Sequence, residues 1–421
     1  MINPLLISTS DSDGGASRAT YRLHQALHSM NINSQMLVQD QKTGDYTVTA
    51  QKSNITRLRR SLDMLPLKLY PGRDQKIFFS PQWLPDNISK QVSEFNPDVI
   101  NFHWTNAGYV QIETLAKLKK PIVLTLHDMW AFTGGCHYSG DCLNYTNSCG
   151  TCPQLKSSKA KDLSHWIWER KLKSWKDLDI TIVTPSHWLA KCAASSSLLK
   201  GVRIEVIPNG LDANKYKPID QSIARSILGL PQDKQLILFG AMSSTSNRRK
   251  GFYLLQLALQ SKILAELKYQ VEILIIGASQ PKNLPDLGLK YHYLGKLNDD
   301  CSLALVYAAA DVFVAPSLQD NLPNTVMESL ACGTPCVAFD IGGMPDMIEH
   351  KRNGYLATPF ETGDLAQGIV WVLEDRVRWR SLSQRSREKV ETEFTLKIQA
   401  DNYLSLYHKL IGEKSAKVKV K

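Results

Sequence analysis

The sequence predicts an α/β protein of two domains, each built on a doubly wound parallel sheet of the Rossmann-like type. Short apolar runs rich in β-branched residues alternate with segments of helical period, which is the pattern of successive β-α-β units. The alternation stops at a turn-rich connector near residue 208 and then starts again. A chain of 421 residues, 43% of them hydrophobic, is also long and apolar enough for two cores.

The first half of the chain carries the first predicted sheet. Residues 4–8 predict a strand, and residues 15–30 predict a helix because Leu23 and Leu27 recur on one face. Further elements are predicted as strands at 35–38, 99–103, 122–126 and 180–183, and as helices at 110–118 and 163–175. We therefore place an N-terminal domain at residues 1–207, with a Cys-rich insert at 134–153.

The second predicted sheet follows a linker at residues 208–220, which holds two prolines and a glycine. Strands are predicted at 236–239, 271–276, 291–294, 312–315 and 336–339. We place a C-terminal domain at residues 221–394. Residues 395–421 then form a C-terminal helix, predicted over about 396–410, and a basic tail; the helix is expected to pack on one of the two domains, with the N-terminal domain as one choice.

The charge of the chain is unevenly distributed. Lys and Arg number 50 against 40 Asp and Glu, a net charge of +10. Residues 1–205 hold 24 Lys and Arg against 17 Asp and Glu, and residues 413–421 add three net positive charges. Such an excess suits an anionic partner, which can be a phospholipid surface, a lipid-phosphate substrate or nucleic acid.

The hydropathy pattern bears on location. No stretch approaches the about 18–20 consecutive apolar residues of a membrane-spanning helix. The first 15 residues lack a cationic start and an apolar segment of signal-peptide length. We expect a cytoplasmic protein, associated at most peripherally with the inner face of the plasma membrane.

The segment from Pro316 to Ile348 is the most informative part of the sequence. A predicted strand ends at Ser317, a loop carries Asp320, and a helix begins near residues 321–324, with Pro323 fitting its first turn. Asn324 and Thr325 at this helix start are candidate binding residues. Ligands bind at the carboxyl ends of strands in open α/β sheets. The helix start suits a phosphate, and the carboxylates of Asp320 and Glu328 suit sugar hydroxyls. The alternative is a capped helix with two solvated acids.

This segment resembles the donor-binding signature of glycosyltransferase family 4, retaining enzymes of the GT-B fold, in which two Rossmann-like domains face a cleft. The signature has an acid, seven residues, a Glu, then Gly-x-Pro and a Gly-Gly turn. Glu328 matches the acid that holds the nucleotide ribose. Asp320 stands where the family has a Glu that contacts the transferred sugar, and Pro323 stands where it often has Gly.

The resemblance extends over nearly the whole chain, and it implies that the N-terminal domain binds the acceptor and the C-terminal domain binds the nucleotide-sugar donor. It implies that the loop with Gly14 and Gly15 approaches the donor diphosphate and the acceptor, and that His127 lies near the anomeric carbon of the sugar. Lys250 aligns with a family Lys that clamps the diphosphate. The family's Arg has no counterpart, since Ala241 occupies its position, so Arg248 or Arg249 must substitute for it. A structural His127 and a solvated basic helix start are the alternatives.

The reaction implied by the resemblance moves a sugar from a UDP- or GDP-linked donor to a glycan or lipid-linked acceptor with retention of configuration. Catalytic residues are then Asp320, His127 and Lys250, and no metal cofactor is expected for catalysis. We expect a role in exopolysaccharide, capsule or lipopolysaccharide synthesis. The alternatives are a sucrose- or trehalose-type synthase of the same fold, a basic nucleic-acid-binding protein, or an inactive scaffold. Because no recognisable nucleic-acid-binding motif is present, we expect no nucleic-acid partner.

Four cysteines, Cys136, Cys142, Cys149 and Cys152, cluster in the insert that follows His127. Four thiolates satisfy tetrahedral zinc, and the Cys149-x-x-Cys152 pair has the spacing of a zinc knuckle. Free thiols, reversible disulfides and an iron–sulfur cluster are the alternatives. Some bacterial polysaccharide glycosyltransferases of the family carry a similar Cys-rich insert, which suggests a surface-polysaccharide type.

A cationic amphipathic stretch lies in the N-terminal domain. Leucines and Ile55 recur at helical spacing between residues 55 and 69, interleaved with Arg57, Arg59, Arg60 and Lys68. Such a stretch can rest on an anionic membrane. A basic solvent face over the core explains the pattern almost as well, and Pro66 interrupts the helical period.

Overall fold

The structure is a computed structural model that describes residues 2–50, 56–240, 247–277, 287–297 and 299–419. Its contacts divide the chain into two compact units, Met1–Pro208 with Gln399–Lys421, and Asn209–Ile398. The chain therefore passes from one unit to the other twice, once after Pro208 and once after Ile398. None of the helices in the described ranges is long and apolar enough to cross a membrane.

The first unit contains a parallel sheet of seven strands in the order β3-β2-β1-β4-β5-β6-β7. Leu5 lies beside Gln35 on one side and Ile100 on the other, so the strand order reverses next to β1. Such a reversal opens a crevice at the carboxyl ends of the two strands. The strands are β1 Pro4–Ser10, β2 Gln35–Asp40, β3 Val48–Ala50, β4 Val99–Phe102, β5 Ile122–Thr125, β6 Ile180–Thr184 and β7 Arg203–Val206.

Helices and short 3₁₀ turns connect these strands. The segment predicted as a helix at 110–118 is a 3₁₀ helix, Ile112–Lys117. The amphipathic stretch is not one helix, because it stops at Asp63 and a 3₁₀ helix with Pro66 follows. The helices are α1 Gly14–Ser29, α2 Thr56–Asp63, α3 Ile88–Phe95, α4 Leu163–Trp175 and α5 His187–Ser195, and the 3₁₀ helices are Leu65–Leu69, Ile112–Lys117, Trp130–Phe132, Asn144–Thr146 and Pro153–Leu155.

The second unit contains a parallel sheet of six strands in the order β10-β9-β8-β11-β12-β13. Its strands are almost continuously apolar, as expected for a parallel sheet buried on both faces. They are β8 Gln235–Gly240, β9 Val271–Ile276, β10 Tyr291–Gly295, β11 Val312–Ala315, β12 Cys336–Phe339 and β13 Gly354–Ala357.

Two apolar clusters stabilise the second unit. Neighbouring residues of one strand belong to different clusters; for example, Phe313 belongs to one and Val312 to the other. Since successive side chains of a strand point to opposite faces, the sheet is covered on both sides. The covering helices are α6 Gln221–Leu228, α7 Phe252–Leu259, α8 Lys262–Ala265, α9 Asp300–Ala309, α10 Asn324–Ala331, α11 Met344–Met347, α12 Thr362–Leu373 and α13 Arg376–Glu393.

The last helix, α14 Leu396–Lys419, is longer than predicted. Its buried Tyr407 hydroxyl accepts a hydrogen bond from Asn101 Nδ2 at 2.8 Å, and its Tyr403 hydroxyl lies 3.1 Å from Thr125 Oγ1. Asn101 and Thr125 belong to β4 and β5. The helix is therefore fixed to the first sheet by buried polar contacts as well as by apolar packing.

Candidate functional site

A buried carboxylate marks the reversal point of the second sheet. Asp320 lies in the loop that follows β11, the strand that pairs with β8 where the strand order reverses, and only 5% of Asp320 is exposed. Its Oδ2 accepts hydrogen bonds from Lys250 Nζ at 2.6 Å and from Ser317 Oγ at 3.1 Å. Its Oδ1 lies 3.2 Å from a terminal nitrogen of Arg249. One acid thus holds two cations in a fixed arrangement.

These cations set the charge state of the acid. Burial alone would raise the pKa of Asp320, but the Lys250 ammonium and the Arg249 guanidinium overcome this effect and hold that pKa well below its usual range. Asp320 is therefore ionised at every physiological pH. Arg249 also donates to the carbonyl of Gln319 at 2.6 Å. This bond connects the basic segment, Arg248–Lys250, to the loop that carries Asp320.

Two glycines allow this close approach of segments. Gly251 follows the basic segment at φ +71°, and a Cβ there would meet the Pro316 carbonyl oxygen at 1.7 Å. Gly342, the first residue of the Gly-Gly turn, has φ +56°, and a Cβ there would meet the Asp320 carbonyl oxygen at 2.0 Å. Both positions combine a left-handed backbone with direct backbone contact, so only glycine fits without rearrangement.

The second predicted acid, Glu328, lies on α10. It is 2% exposed, and its Oε2 accepts a hydrogen bond from Tyr307 Oη at 3.0 Å. The helix begins at Asn324, and Pro323 precedes it as the N-cap residue with extended backbone, so the expectation that Pro323 fits the first turn is wrong. Among the described residues, no side chain caps this helix start.

A small cavity joins these features. Its lining includes Lys250, Ser317, Asp320, Pro323 and Thr325, together with the carboxyl ends of β8 and β11. A cation, an acid and the start of α10 therefore face one space at the edge of the sheet where ligands bind in such folds.

Arg248 stands apart from this cluster. Its guanidinium lies 5.7 Å from the centre of the Tyr253 ring, and the residue is exposed, whereas Arg249 is half-buried beside the acid. Of the two arginines predicted as substitutes, the structure brings Arg249 to Asp320. Ala241, at the position of the expected Arg, lies outside the described residues.

In the first unit, the predicted loop follows β1. Gly14 has φ +86° and opens α1, whose start is not capped by a side chain in the described part of the chain. The preceding Asp11 is fully buried, and its carboxylate accepts hydrogen bonds from the backbone N–H groups of Lys42 and Thr43. Asp11 therefore fixes the loop that leads to Gly14 and Gly15, the first residues of α1, against the chain after β2.

His127 lies just beyond β5 and contacts a second histidine. His103 Nδ1 and His127 Nε2 are 3.0 Å apart, and the rings stack with centroids 5.3 Å apart. Burial lowers the pKa of His127 to about 4 and that of His103 well below its ordinary value. Both rings are therefore neutral at pH 7, and the Nε2 atom of His103 has no hydrogen-bond partner among the described residues.

Asp128 organises a neighbouring polar network. Its Oδ2 lies 2.6 Å from His137 Nδ1 and accepts from Trp104 Nε1 at 2.9 Å. His137 Nε2 in turn lies 2.9 Å from Ser80 Oγ. The network holds the chain that leads from β5 into the Cys-rich insert.

Sequence reasoning missed His103, His137 and Tyr307. His103 follows β4 as His127 follows β5, so the rule that parallel strands end at one edge could have placed the two together. His137 lies inside the Cys-rich insert and carries no signal of its own. Tyr307 contacts Glu328 through the fold, across 21 positions of the chain.

The four cysteines of the insert are all free thiols. Burial raises the pKa of Cys149 to about 12, and it raises the pKa of Cys136 above its ordinary range. No group of three or more His, Cys, Asp or Glu side chains in the described ranges is arranged to hold a metal ion. The described ranges therefore give the predicted zinc site no support, and structural zinc stays a prediction.

Two family models match the chain. The model described as Glycosyltransferase Family 4 matches residues 13–215, and the model described as Glycosyl transferases group 1 matches residues 233–375. The chain belongs to the glycosyltransferases of family 4 and group 1. The first model lies on the unit with His127, and the second lies on the unit with Asp320, Lys250 and Glu328.

Curated relatives are similar to parts of the chain. The D-inositol 3-phosphate glycosyltransferase of Mycobacteroides abscessus is 28% identical over 222 residues, which is 50% of this chain and 47% of the relative. The UDP-Gal:alpha-D-GlcNAc-diphosphoundecaprenol alpha-1,3-galactosyltransferase of Escherichia coli is 24% identical over 227 residues, 51% of this chain and 56% of the relative. The chain thus spans about half the length of the curated relatives it matches.

Solved structures are similar in fold. Sucrose-phosphate synthase from Thermosynechococcus elongatus has a TM-score of 0.72 at 19% identity and covers 98% of this chain and 100% of its own. Anabaena HepE in complex with UDP-glucose has a TM-score of 0.62 at 18% identity and covers 97% and 100%. These are GT-B glycosyltransferases, and the predicted fold class of two parallel-sheet α/β domains is confirmed.

Proposed function

We propose that this family 4 glycosyltransferase moves a sugar from a nucleotide-sugar donor, UDP- or GDP-linked, to a growing glycan with retention of configuration. The buried Asp320–Lys250–Arg249 cluster at the start of α10 carries this proposal. It places fixed positive charge beside a helix start, which is what a leaving nucleoside diphosphate requires. The complex of HepE with UDP-glucose and the UDP-Gal donor named for the E. coli relative support the donor class.

In the proposed reaction the bond between the anomeric carbon and the β-phosphate oxygen breaks, and a bond to the acceptor oxygen forms on the same face. The acceptor proton passes to the departing phosphate oxygen. Lys250 and Arg249 stabilise the charge that develops on that oxygen, and Asp320 holds both cations in place or turns to the sugar hydroxyls. Since these side chains supply the positive charge, we propose that catalysis needs no metal.

The remaining site residues receive the roles that the family resemblance implies. Glu328 binds the ribose hydroxyls, and its bond from Tyr307 orients the carboxylate for this task. Asn324 and Thr325 offer the start of α10 to a phosphate, and Gly14 and Gly15 approach the diphosphate and acceptor. His127, neutral because it is buried, contacts the transferred sugar. Arg248, which is exposed beside Tyr253, contributes to diphosphate binding only weakly and at long range.

The acceptor is proposed to be lipid-linked, in polysaccharide synthesis at the cytoplasmic face of the membrane. The E. coli relative, named for a diphosphoundecaprenol acceptor, supports this choice. The likeness to sucrose-phosphate synthase is one of fold and does not favour a soluble acceptor.

The proposal of structural zinc in the Cys-rich insert depends only on the spacing of its four cysteines. Metal analysis of protein purified without added zinc should find about one equivalent of zinc.

A binding panel tests the donor class. Calorimetric titration with UDP, GDP, ADP and their glucose conjugates should show one nucleotide bound at least tenfold more tightly than the others. Lys250→Met should weaken the binding of every nucleotide, because the diphosphate is common to all of them, whereas Asp233→Asn, an exposed acid before β8, should not change any affinity. Equal, weak binding of every nucleotide by the unmodified chain would contradict the proposal.

A further inference from the structure

Two histidines lie at the ends of neighbouring strands in the first unit. His103 follows β4, and its backbone N–H donates to the Ile7 carbonyl of β1 at 2.9 Å. His127 lies just beyond β5, and the backbone N–H of the preceding Leu126 donates to the Val183 carbonyl of β6 at 2.8 Å. Both rings are therefore held by backbone that continues the hydrogen bonding of the sheet, at the edge where ligands bind in such folds.

The two rings share one hydrogen bond. His103 Nδ1 and His127 Nε2 are 3.0 Å apart, and burial keeps both rings neutral at pH 7 by lowering their pKa values. A neutral imidazole has one N–H that donates and one bare nitrogen that accepts. One ring must therefore donate and the other accept, so the position of the proton on one histidine determines its position on the other.

The surroundings of His103 indicate which ring donates. His103 is 6% exposed, and its Nε2 atom is buried without a hydrogen-bond partner among the described residues. If Nε2 carried the proton, a buried N–H would lack an acceptor, and orphaned buried N–H groups are rarer in proteins than under-satisfied acceptors. With the proton on Nδ1, only a lone pair is left unpaired at Nε2. The lower cost favours donation from His103 Nδ1 to His127 Nε2.

The carboxylate next to His127 in the sequence, Asp128, binds other partners. Its Oδ2 accepts from Trp104 Nε1 and lies 2.6 Å from His137 Nδ1, and its Oδ1 accepts from the Trp130 backbone N–H at 2.9 Å. A carboxylate that accepts from a histidine stabilises its protonated form and strengthens it as a base. An imidazole that donates to the histidine has the opposite effect, because it occupies the nitrogen that would take up a proton.

We infer that His103 is a positioning residue that fixes His127 in the tautomer with its proton on Nδ1. His127 Nε2 then accepts from His103, so the ring cannot act as a general base without losing this bond. Its Nδ1–H is a donor, and His127, unlike His103, is partly exposed. Toward the transferred sugar the ring therefore donates a hydrogen bond to a hydroxyl oxygen. That role rests on the proposed function, whereas the tautomer does not.

Nitrogen NMR of the full-length chain tests the tautomer. With histidine labelled by nitrogen-15 in the ring, a spectrum at pH 7 that correlates ring nitrogens with ring C–H protons distinguishes a protonated nitrogen from a bare one. The signals lost in His127→Gln identify that ring, and we expect its proton on Nδ1. His103→Leu should abolish this preference. His103→Asn should keep it, since the amide N–H of Asn can take the place of the imidazole Nδ1–H.

The control for the spectra is His408→Gln, at an exposed position of α14, which should leave the tautomer of His127 unchanged. A proton on His127 Nε2 in the unmodified chain would overturn the inference, and this outcome can be read even if His103→Leu does not fold. Loss of the tautomer in His103→Asn, with the same melting temperature as the unmodified chain, would also contradict it.

A binding comparison tests the role toward the sugar. His103→Leu should weaken the binding of UDP-glucose about fivefold in calorimetric titration, the effect of one hydrogen bond between neutral groups, and should leave the binding of UDP unchanged. His103→Asn should restore the affinity for UDP-glucose. An equal loss for both ligands would indicate a structural role only and would overturn the role toward the sugar. If the unmodified chain binds neither ligand, the proposed UDP-linked donor is wrong, and the NMR spectrum decides the tautomer.

Discussion

Lys250 Nζ and Asp320 Oδ2 form an ion pair at 2.6 Å in which 16% of the lysine side chain and 6% of the aspartate side chain are exposed. The partners are separated by 70 positions in the chain. Such a pair can serve stability, or it can preorganise charge for a ligand. The two roles differ in what a double substitution restores, because an apolar replacement of both partners relieves the buried charge without recreating the site.

Lys250→Met should destabilise the second unit, because Asp320 then keeps Arg249 as its main cation. We expect a loss of about 1–3 kcal/mol in the free energy of unfolding, less than for a fully orphaned charge. Lys250→Met/Asp320→Leu should recover much of that loss but should still not bind nucleotide. Urea unfolding and calorimetric titration measure the two effects. Recovery of both properties in the double variant would contradict a ligand-binding role.

The two acids should differ in what they control. Glu328→Gln should weaken nucleotide binding about tenfold or more, since a ribose contact is made equally in the ground and transition states. Asp320→Asn should chiefly lower turnover, about 10²–10³-fold, because it loosens the cations that stabilise the leaving group. Steady-state transfer rates and nucleotide affinities of both variants check this. A wild-type rate for Asp320→Asn would show that the assigned role is wrong.

The glycines beside the pair offer a test of the site geometry. Gly342→Ala should shift the Asp320 backbone and Gly251→Ala the Pro316 backbone, since a Cβ would come within 2.0 Å and 1.7 Å of their carbonyl oxygens. We expect each to destabilise the unit by about 1–3 kcal/mol and to weaken nucleotide binding. Gly363→Ala is the control, because a Cβ there meets nothing within 4 Å. Equal melting temperatures for all three variants would contradict this account.

The anchoring of α14 can be measured in the same way. Tyr407→Phe removes the acceptor of the buried Asn101 side chain and leaves that amide donor without its partner. We expect a loss of about 1–3 kcal/mol in the stability of the first unit. Tyr269→Phe, at a residue that is 78% exposed, should change stability by less than about 0.5 kcal/mol. Denaturant unfolding of both variants makes the comparison, and equal effects would mean that the buried bond contributes nothing.

The strands of both sheets were predictable wherever the burial was complete. Continuous apolar runs such as Val312–Ala315 and Cys336–Phe339 lie at the predicted positions. The sequence analysis missed β3, β7 and β13, which lie at sheet edges. An edge strand pairs with a neighbouring strand on one side only. The side chains of β7 are only partly buried, and Arg203 and Glu205 interrupt its apolar run.

The residues of the candidate site could be predicted from the sequence, but the contacts between them could not. Asp320 and Glu328 were predicted from a strand end and from motif spacing, and Lys250 from the family resemblance. The Tyr307–Glu328 bond and the His103–His127 contact depend on how strands and helices are placed side by side. The orientation of α2 could not be predicted either. Its leucine spacing fits burial against a core as well as exposure, whereas in the structure Leu58 and Leu69 are exposed and Arg59 donates to the carbonyls of Gly108 and Pro85.

The histidine pair of the first unit predicts a pH dependence of stability. The pKa of His127 is lowered by burial to about 4, against an ordinary value of 6.5. Between these values the unfolded chain binds more protons than the native chain, so stability is complete above about pH 6.5 and is lost as the pH falls toward 4. One such histidine changes the free energy of unfolding by about 1.4 kcal/mol per pH unit in this range.

His127→Gln should therefore reduce the slope of unfolding free energy against pH between about 4.5 and 6.5 by about 1.4 kcal/mol per unit. His103→Gln should reduce it in the same direction, since burial also holds the pKa of His103 low. His408→Gln, at an exposed position of α14, serves as the control and should leave the slope unchanged. Urea unfolding at half-unit steps of pH gives the slopes. If His127→Gln kept the slope of the unmodified chain, His127 would be protonated in the native state, and the neutral contact with sugar proposed for it would be wrong.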